Sequence, residues 1–195
     1  MTKHKSSLNE EAHNTEARSI TNVYKKLIRN WHEKATTEDY FSKFVFEYLA
    51  FIAIIKKFKG RTSGTDRRAI QDLKSDDNIK QEYMKEINRK EDLEKLIKYL
   101  KESPLENYGD LKWWGCSDQS QCSEPKPEYQ KGGFIKDNND WENMVEFIYY
   151  VRNNLFHGGK DPKDKRDQFL VKHAYKLLRP LVEILLIEKG MSENI

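Results

Sequence analysis

Between residues 38 and 59 the chain carries Phe44, Val45, Phe46, Tyr48, Leu49, Phe51, Ile52, Ile54 and Ile55, with Glu47 as one acid among them. On a helix these side chains fall on nearly every face, so the segment cannot lie at a surface with one side wet. It must be the central helix of a core, and the rest of the chain must supply elements that wrap it. Its longest unbroken apolar run, Leu49 to Ile55, is seven residues. A membrane span needs about 20, so the burial expected is in protein.

The wrapping elements are also helical by pattern. Ile20, Val23, Tyr24, Leu27, Ile28 and Trp31 recur at three- and four-residue steps and predict a helix over 16–34. Thr37, Glu38 and Asp39 give the central helix a cap with acid in its first turn. Residues 66–74 suit a short helix. Residues 79–101 carry Tyr83, Met84, Ile87, Leu93, Leu96, Ile97 and Leu100, enough for one or two helices, with Pro104 stopping them. A further helix is expected over 140–156, ended by Gly158-Gly159, and a last one over 163–188 with Pro180 inside it and a kink near 176–179. Six valines and no Asn-Gly or Asp-Gly turn leave no convincing strand. The expected fold is all-α: a bundle of four to five main helices in one domain, 1–195, with a frayed, disordered tail over 1–14. Residues 104–139 hold three of the five prolines, four of the nine glycines and both cysteines, and read as a long irregular insertion.

Composition narrows the function. The 195 residues carry 35 basic and 32 acidic side chains, a net of +3, with 12% aromatics and a mean hydropathy of −0.92. Polarity of that degree with so many rings describes a folded core under a charged surface, not a disordered chain. The near balance excludes a histone-like protein, so any basic site must be local. The first residues lack an apolar stretch of the leader type. Cys116 and Cys122, with five residues between them, form neither a disulfide framework nor a usual zinc spacing. A soluble cytoplasmic protein without metal or cofactor is expected.

The segment most suited to chemistry is Val151-Arg152-Asn153-Asn154-Leu155-Phe156-His157-Gly158-Gly159-Lys160. On a helical wheel starting at Trp141, Arg152 falls at about 20°, between Val145 at about 40° and Ile148 at about 340°. A guanidinium on the apolar stripe must find partners or stand at a crevice. Glu47 is the favoured partner, and Glu146 a doubtful one. His157 lies about 140° round from Arg152 on an unbroken helix; fraying before the glycines would let them converge. Such a pair suits metal-independent RNA cleavage. The 2′-hydroxyl attacks the neighbouring phosphate, an imidazole moves protons near neutral pH, and a guanidinium stabilises the phosphorane. Asn153 is placed to hold either the phosphate or the imidazole. A similar pair, Arg166 and His173, lacks the adjacent Asn and the glycine break, and reads as packing or surface.

The run from Arg152 to Lys160, at the end of the aromatic helix Phe147-Ile-Tyr-Tyr-Val-Arg, resembles the signature of the HEPN superfamily: Arg, a polar residue, a few residues, then His. The stretch Asp161-Pro-Lys-Asp164-Lys-Arg-Asp167 and the aromatic helix Tyr40 to Phe51 are also similar, so the resemblance covers about 40–60 and 140–188. It implies a helical bundle that pairs as a homodimer, two motifs meeting in one cleft, and metal-independent endoribonuclease activity in a toxin or defence effector. It also implies a possible nucleotidyltransferase-type antitoxin partner. Carried over by position, Arg152, Asn153 and His157 form the catalytic set. Some members of the family are inactive binding modules for nucleotide, RNA or protein, and that alternative stays open, as does a plain helical interaction protein.

Two stretches are locally basic. Residues 56–68 carry a net of +5, and 158–176 a net of +3, the second beside Arg152 and His157. Lys57, Lys59, Arg61, Lys160 and Lys163 are the candidate RNA-binding cations. Trp113, Trp114, Tyr129 and Phe134 could stack bases, although packing suits them better.

Overall fold

A computed structural model describes residues 21–36, 39–58, 65–87, 91–105 and 135–191. Among them the fold is all-α, with seven helices and no strand. In chain order these are α1 (21–34), α2 (Tyr40–Phe58), α3 (Asp66–Lys74), α4 (Asp77–Ile87), α5 (Glu91–Glu102), α6 (Trp141–Phe156) and α7 (Lys165–Glu188). The 1–14 tail and nearly all of the 104–139 insertion, including both cysteines, Trp113, Trp114, Tyr129 and Phe134, lie outside the described residues, as do Lys59 and Arg61.

The apolar circumference of α2 has the consequence expected of it. Phe44, Tyr48, Ala50, Phe51, Ile54 and Ile55 are all buried. Its principal neighbour is α7, in which Leu170, Val171, Ala174, Leu177, Leu178, Leu181, Val182 and Leu185 are buried. α4, α5 and α6 also pack on α7, and α3 bridges α2 and α6. Side chains from all seven helices join one buried cluster. Each fully buried Leu, Ile or Phe contributes about 1.5–3 kcal/mol, so this shared core carries the fold. α7 runs unbroken through Pro180, which is itself buried.

Local chemistry sets the helix ends that matter for the site. Thr65 caps α3, its hydroxyl accepting from the Arg68 amide at 3.3 Å, and Asp66 occupies the first turn. α6 ends in a Schellman motif. Gly158 takes φ +73°, the Gly158 amide donates to the Leu155 carbonyl, and the Gly159 amide donates to the Asn154 carbonyl at 2.7 Å. The loop that follows is anchored by Asp167 in α7, which accepts from the Lys160 ammonium and, at 2.8 Å, from the Asp161 amide. Asp164 caps α7 by accepting from the Asp167 amide at 2.9 Å.

Candidate functional site

The sequence puts Arg152 on the packed side of α6, and the structure shows what holds it there. Nη1 donates to Asn153 Oδ1 at 3.0 Å, and Nη2 pairs with Asp66 Oδ2 at 3.2 Å. The guanidinium carbon stands 5.5 Å from the Tyr48 ring centre and 5.0 Å from that of Phe156, within cation–π range. The side chain keeps 25% of its surface exposed, so it stands at a crevice between α2, α3 and α6. Asp66 is shared: its Oδ1 accepts from Lys56 Nζ, in the last turn of α2, at 3.1 Å. Lys56, Asp66 and Arg152 therefore form a cation–carboxylate–cation chain across three helices.

Glu47 is not the partner of Arg152. It lies fully buried, bonded to His32 Nδ1 at 2.8 Å and Arg179 Nη1 at 3.3 Å. One helical step separates Glu47 from Tyr48, and about 100° of rotation aims the two at different neighbours. Tyr48 faces Arg152, and Glu47 faces α1 and α7. Burial pushes the Glu47 carboxyl above its ordinary range, and the His32 and Arg179 contacts pull it back. Glu146 is likewise fully buried, held by Arg67 and by Lys74 at 2.8 Å.

His157 is the C-cap of α6 and is exposed. The helix does not fray before the glycines, so the condition under which fraying would bring the two together is not met. An unbroken helix keeps His157 about 140° round from Arg152. Neither side chain is enclosed, and Asn153, 7% exposed, is spent partly on Arg152.

The basic candidates separate. Lys160 is withdrawn from solvent into its pair with Asp167, its side chain 5% exposed, and cannot meet RNA without breaking that pair. Lys163 is exposed. Lys57 is half-buried, its ammonium 4.6 Å from the Tyr24 ring centre. The net charge of the 56–68 stretch overstates its free cations, because Lys56 pairs with Asp66, Arg67 with Glu146 and Arg68 with Asp72. Arg166 is exposed and donates to the Pro104 carbonyl at 2.9 Å. His173 is buried, its ring tilted against that of Phe169 with centroids 3.9 Å apart.

Two residues of the site escape a reading of the sequence. Asp66 registers there as a helix start and a counter-charge, and 86 positions separate it from Arg152. Tyr48 registers as core. Its hydroxyl is buried without a partner, and burial holds the phenol far above its ordinary range despite the neighbouring Arg152 charge. Arg152 Nε is also buried without a partner; among the described residues these are the only two such side-chain atoms. Most buried polar atoms are satisfied, so two exceptions in one place mark this crevice. Among the same residues no group of three or more His, Cys, Asp or Glu is arranged to hold a metal, and no helix is long and apolar enough to cross a membrane. Comparison with protein-family models, curated proteins and solved structures found no match.

Proposed function

We propose that this protein is a metal-independent endoribonuclease of the HEPN type, acting in the cytoplasm as a toxin or defence effector. The observation that carries the reading is the state of Arg152. It is half-sunk at a crevice, fixed by Asn153 and two aromatic rings, and sits on the same helix that ends in exposed His157. In this reading a 2′-hydroxyl loses its proton to one His157 as it attacks the adjacent phosphate. Arg152 stabilises the charge gathered on the phosphorane, and a second imidazole protonates the departing 5′-oxygen. A homodimer supplies that second His157, and with it a cleft containing two Arg152 side chains. Lys163 and Lys57, with Lys59 and Arg61, guide the strand toward the cleft. The antitoxin partner, of nucleotidyltransferase type, rests on the family resemblance alone.

The test is cleavage of single-stranded RNA in EDTA. Activity should survive chelation and fall by about 10²-fold or more in Arg152→Ala and in His157→Ala. Activity that needs a divalent ion, or that persists in both variants, overturns the reading. One observation favours the alternative of a binding module without turnover: Asp66 pairs with Arg152 and offsets its charge. RNA binding without cleavage of any substrate would select it.

A further inference from the structure

The pair between Arg152 and Asp66 is incomplete in a specific way. A guanidinium offers Nε–H and one Nη2–H along a single edge, the fork that matches two oxygens of a carboxylate or phosphate. Asp66 takes only Nη2, at 3.2 Å, while Nε stays buried without a partner. The other carboxylate oxygen is turned to Lys56 at 3.1 Å. Arg152 does not depend on Asp66 for its place, because Asn153 holds Nη1 and the Tyr48 and Phe156 rings flank the guanidinium carbon. Asp66 is 27% exposed, at the start of a helix capped independently by Thr65. It can swing away without unravelling α3.

From this we infer that Lys56 and Arg152 form an anion site for a phosphodiester, and that Asp66 is its built-in competitor. A phosphate group with two oxygens along the Nε/Nη2 edge would make the hydrogen bond Asp66 leaves unmade, while Lys56 keeps an anionic partner. Binding then requires Asp66 to give way, so this carboxylate lowers the resting affinity of the site and sets a threshold for weak or misplaced phosphates. The inference rests on the ribonuclease reading for the identity of the phosphate as part of an RNA strand, and its test separates binding from cleavage.

The full-length protein is titrated with a short, mixed-sequence 2′-O-methyl oligoribonucleotide, which cannot supply the attacking hydroxyl. Asp66→Asn should raise its affinity about tenfold, the effect of one net charge at a phosphate contact, and steepen the salt dependence by about 0.7 in log–log slope. The gain should vanish when Asp66→Asn is combined with Arg152→Ala. Asp72→Asn, which removes the acid beside Arg68 on the same helix, should produce little of it. Unchanged or weaker binding in Asp66→Asn, an equal gain in Asp72→Asn, or a gain that survives Arg152→Ala overturns the inference. If Asp66→Asn loses its helical circular dichroism, Asp66→Ser carries the same test; failure of both to fold makes Asp66 a structural residue and also overturns it. Tighter binding by Asp66→Asn with no cleavage of unmodified RNA by any variant refutes the ribonuclease reading and leaves the competitor in place.

Discussion

Glu47 and Glu146 are both carboxylates with no solvent contact, and each is held by two cationic or basic side chains from other helices. Removing one member of a buried pair leaves an uncompensated charge, which costs about 3–5 kcal/mol. Glu146→Ala leaves Lys74, whose side chain is 7% exposed, with only the more distant Glu142 carboxylate at 3.9 Å, and should lower unfolding free energy in urea by about 3 kcal/mol. Glu82→Ala, which breaks the exposed pair with Lys85, should cost less than about 1 kcal/mol. Equal losses would show that the Glu146 cluster is no better insulated than the surface. The presence of Arg152 on a packed stripe is legible from helical spacing, because periodicity within one helix is a local property. Its partner is not. Glu47 suits the role on sequence as the one acid in the most apolar helix, yet a single step of rotation sends it to His32 and Arg179, and the true partner comes from another helix 86 positions away.

At the scale of elements, punctuation carries most of the information. Gly158-Gly159 marks the end of α6 and closes it through the expected hydrogen bonds, while at the start of α3 the structure adds a Thr65 cap to the helix read over 66–74. Between 79 and 101 the pattern allows one helix or two; the structure has α4 and α5. The positive φ of Gly158 is what lets the chain leave α6 just after His157, so Gly158→Ala should cost about 1 kcal/mol in stability through backbone strain alone, since open space surrounds the missing Cβ. Urea unfolding of that variant checks the figure. α7 carries a pH-sensitive group. His173 is buried against Phe169, whose carbonyl lies 2.7 Å from its Nδ1, and burial depresses its pKa below 6.5 although that hydrogen bond and Asp92 oppose the shift. A depressed histidine is neutral in the fold while the unfolded chain binds the proton first. Its contribution is therefore present above about pH 6.5 and lost as pH falls toward the folded value. Thermal unfolding followed from about pH 7.5 down to about pH 5 should show a steeper loss in the wild type than in His173→Phe; parallel curves would contradict this assignment.

For the whole molecule, the circumference of α2 decides the architecture before any other element is considered, and the bundle around it follows. Charge is less legible. A linear count makes 56–68 strongly basic, but the fold spends Lys56, Arg67 and Arg68 on acids, and Lys160 on Asp167. Pairing is a property of three-dimensional neighbours, so sequence counts overstate the free cations available to RNA. Lys163 remains exposed, and Lys163→Glu should weaken oligoribonucleotide binding and reduce the log–log salt slope by about 0.7 or more; an unchanged slope would remove it from the RNA path. The central claim concerns the attack by a 2′-hydroxyl assisted by Arg152 and His157, and the ends of the cleaved strand report on it most directly. A single-stranded RNA incubated with the full-length protein in EDTA should yield a 2′,3′-cyclic phosphate and a 5′-hydroxyl. A strand carrying one 2′-deoxy nucleotide at the cleavage position should stay intact, as should the RNA in the presence of Arg152→Ala. Cleavage of the deoxy-substituted strand, or products ending in a 5′-phosphate, would contradict the account.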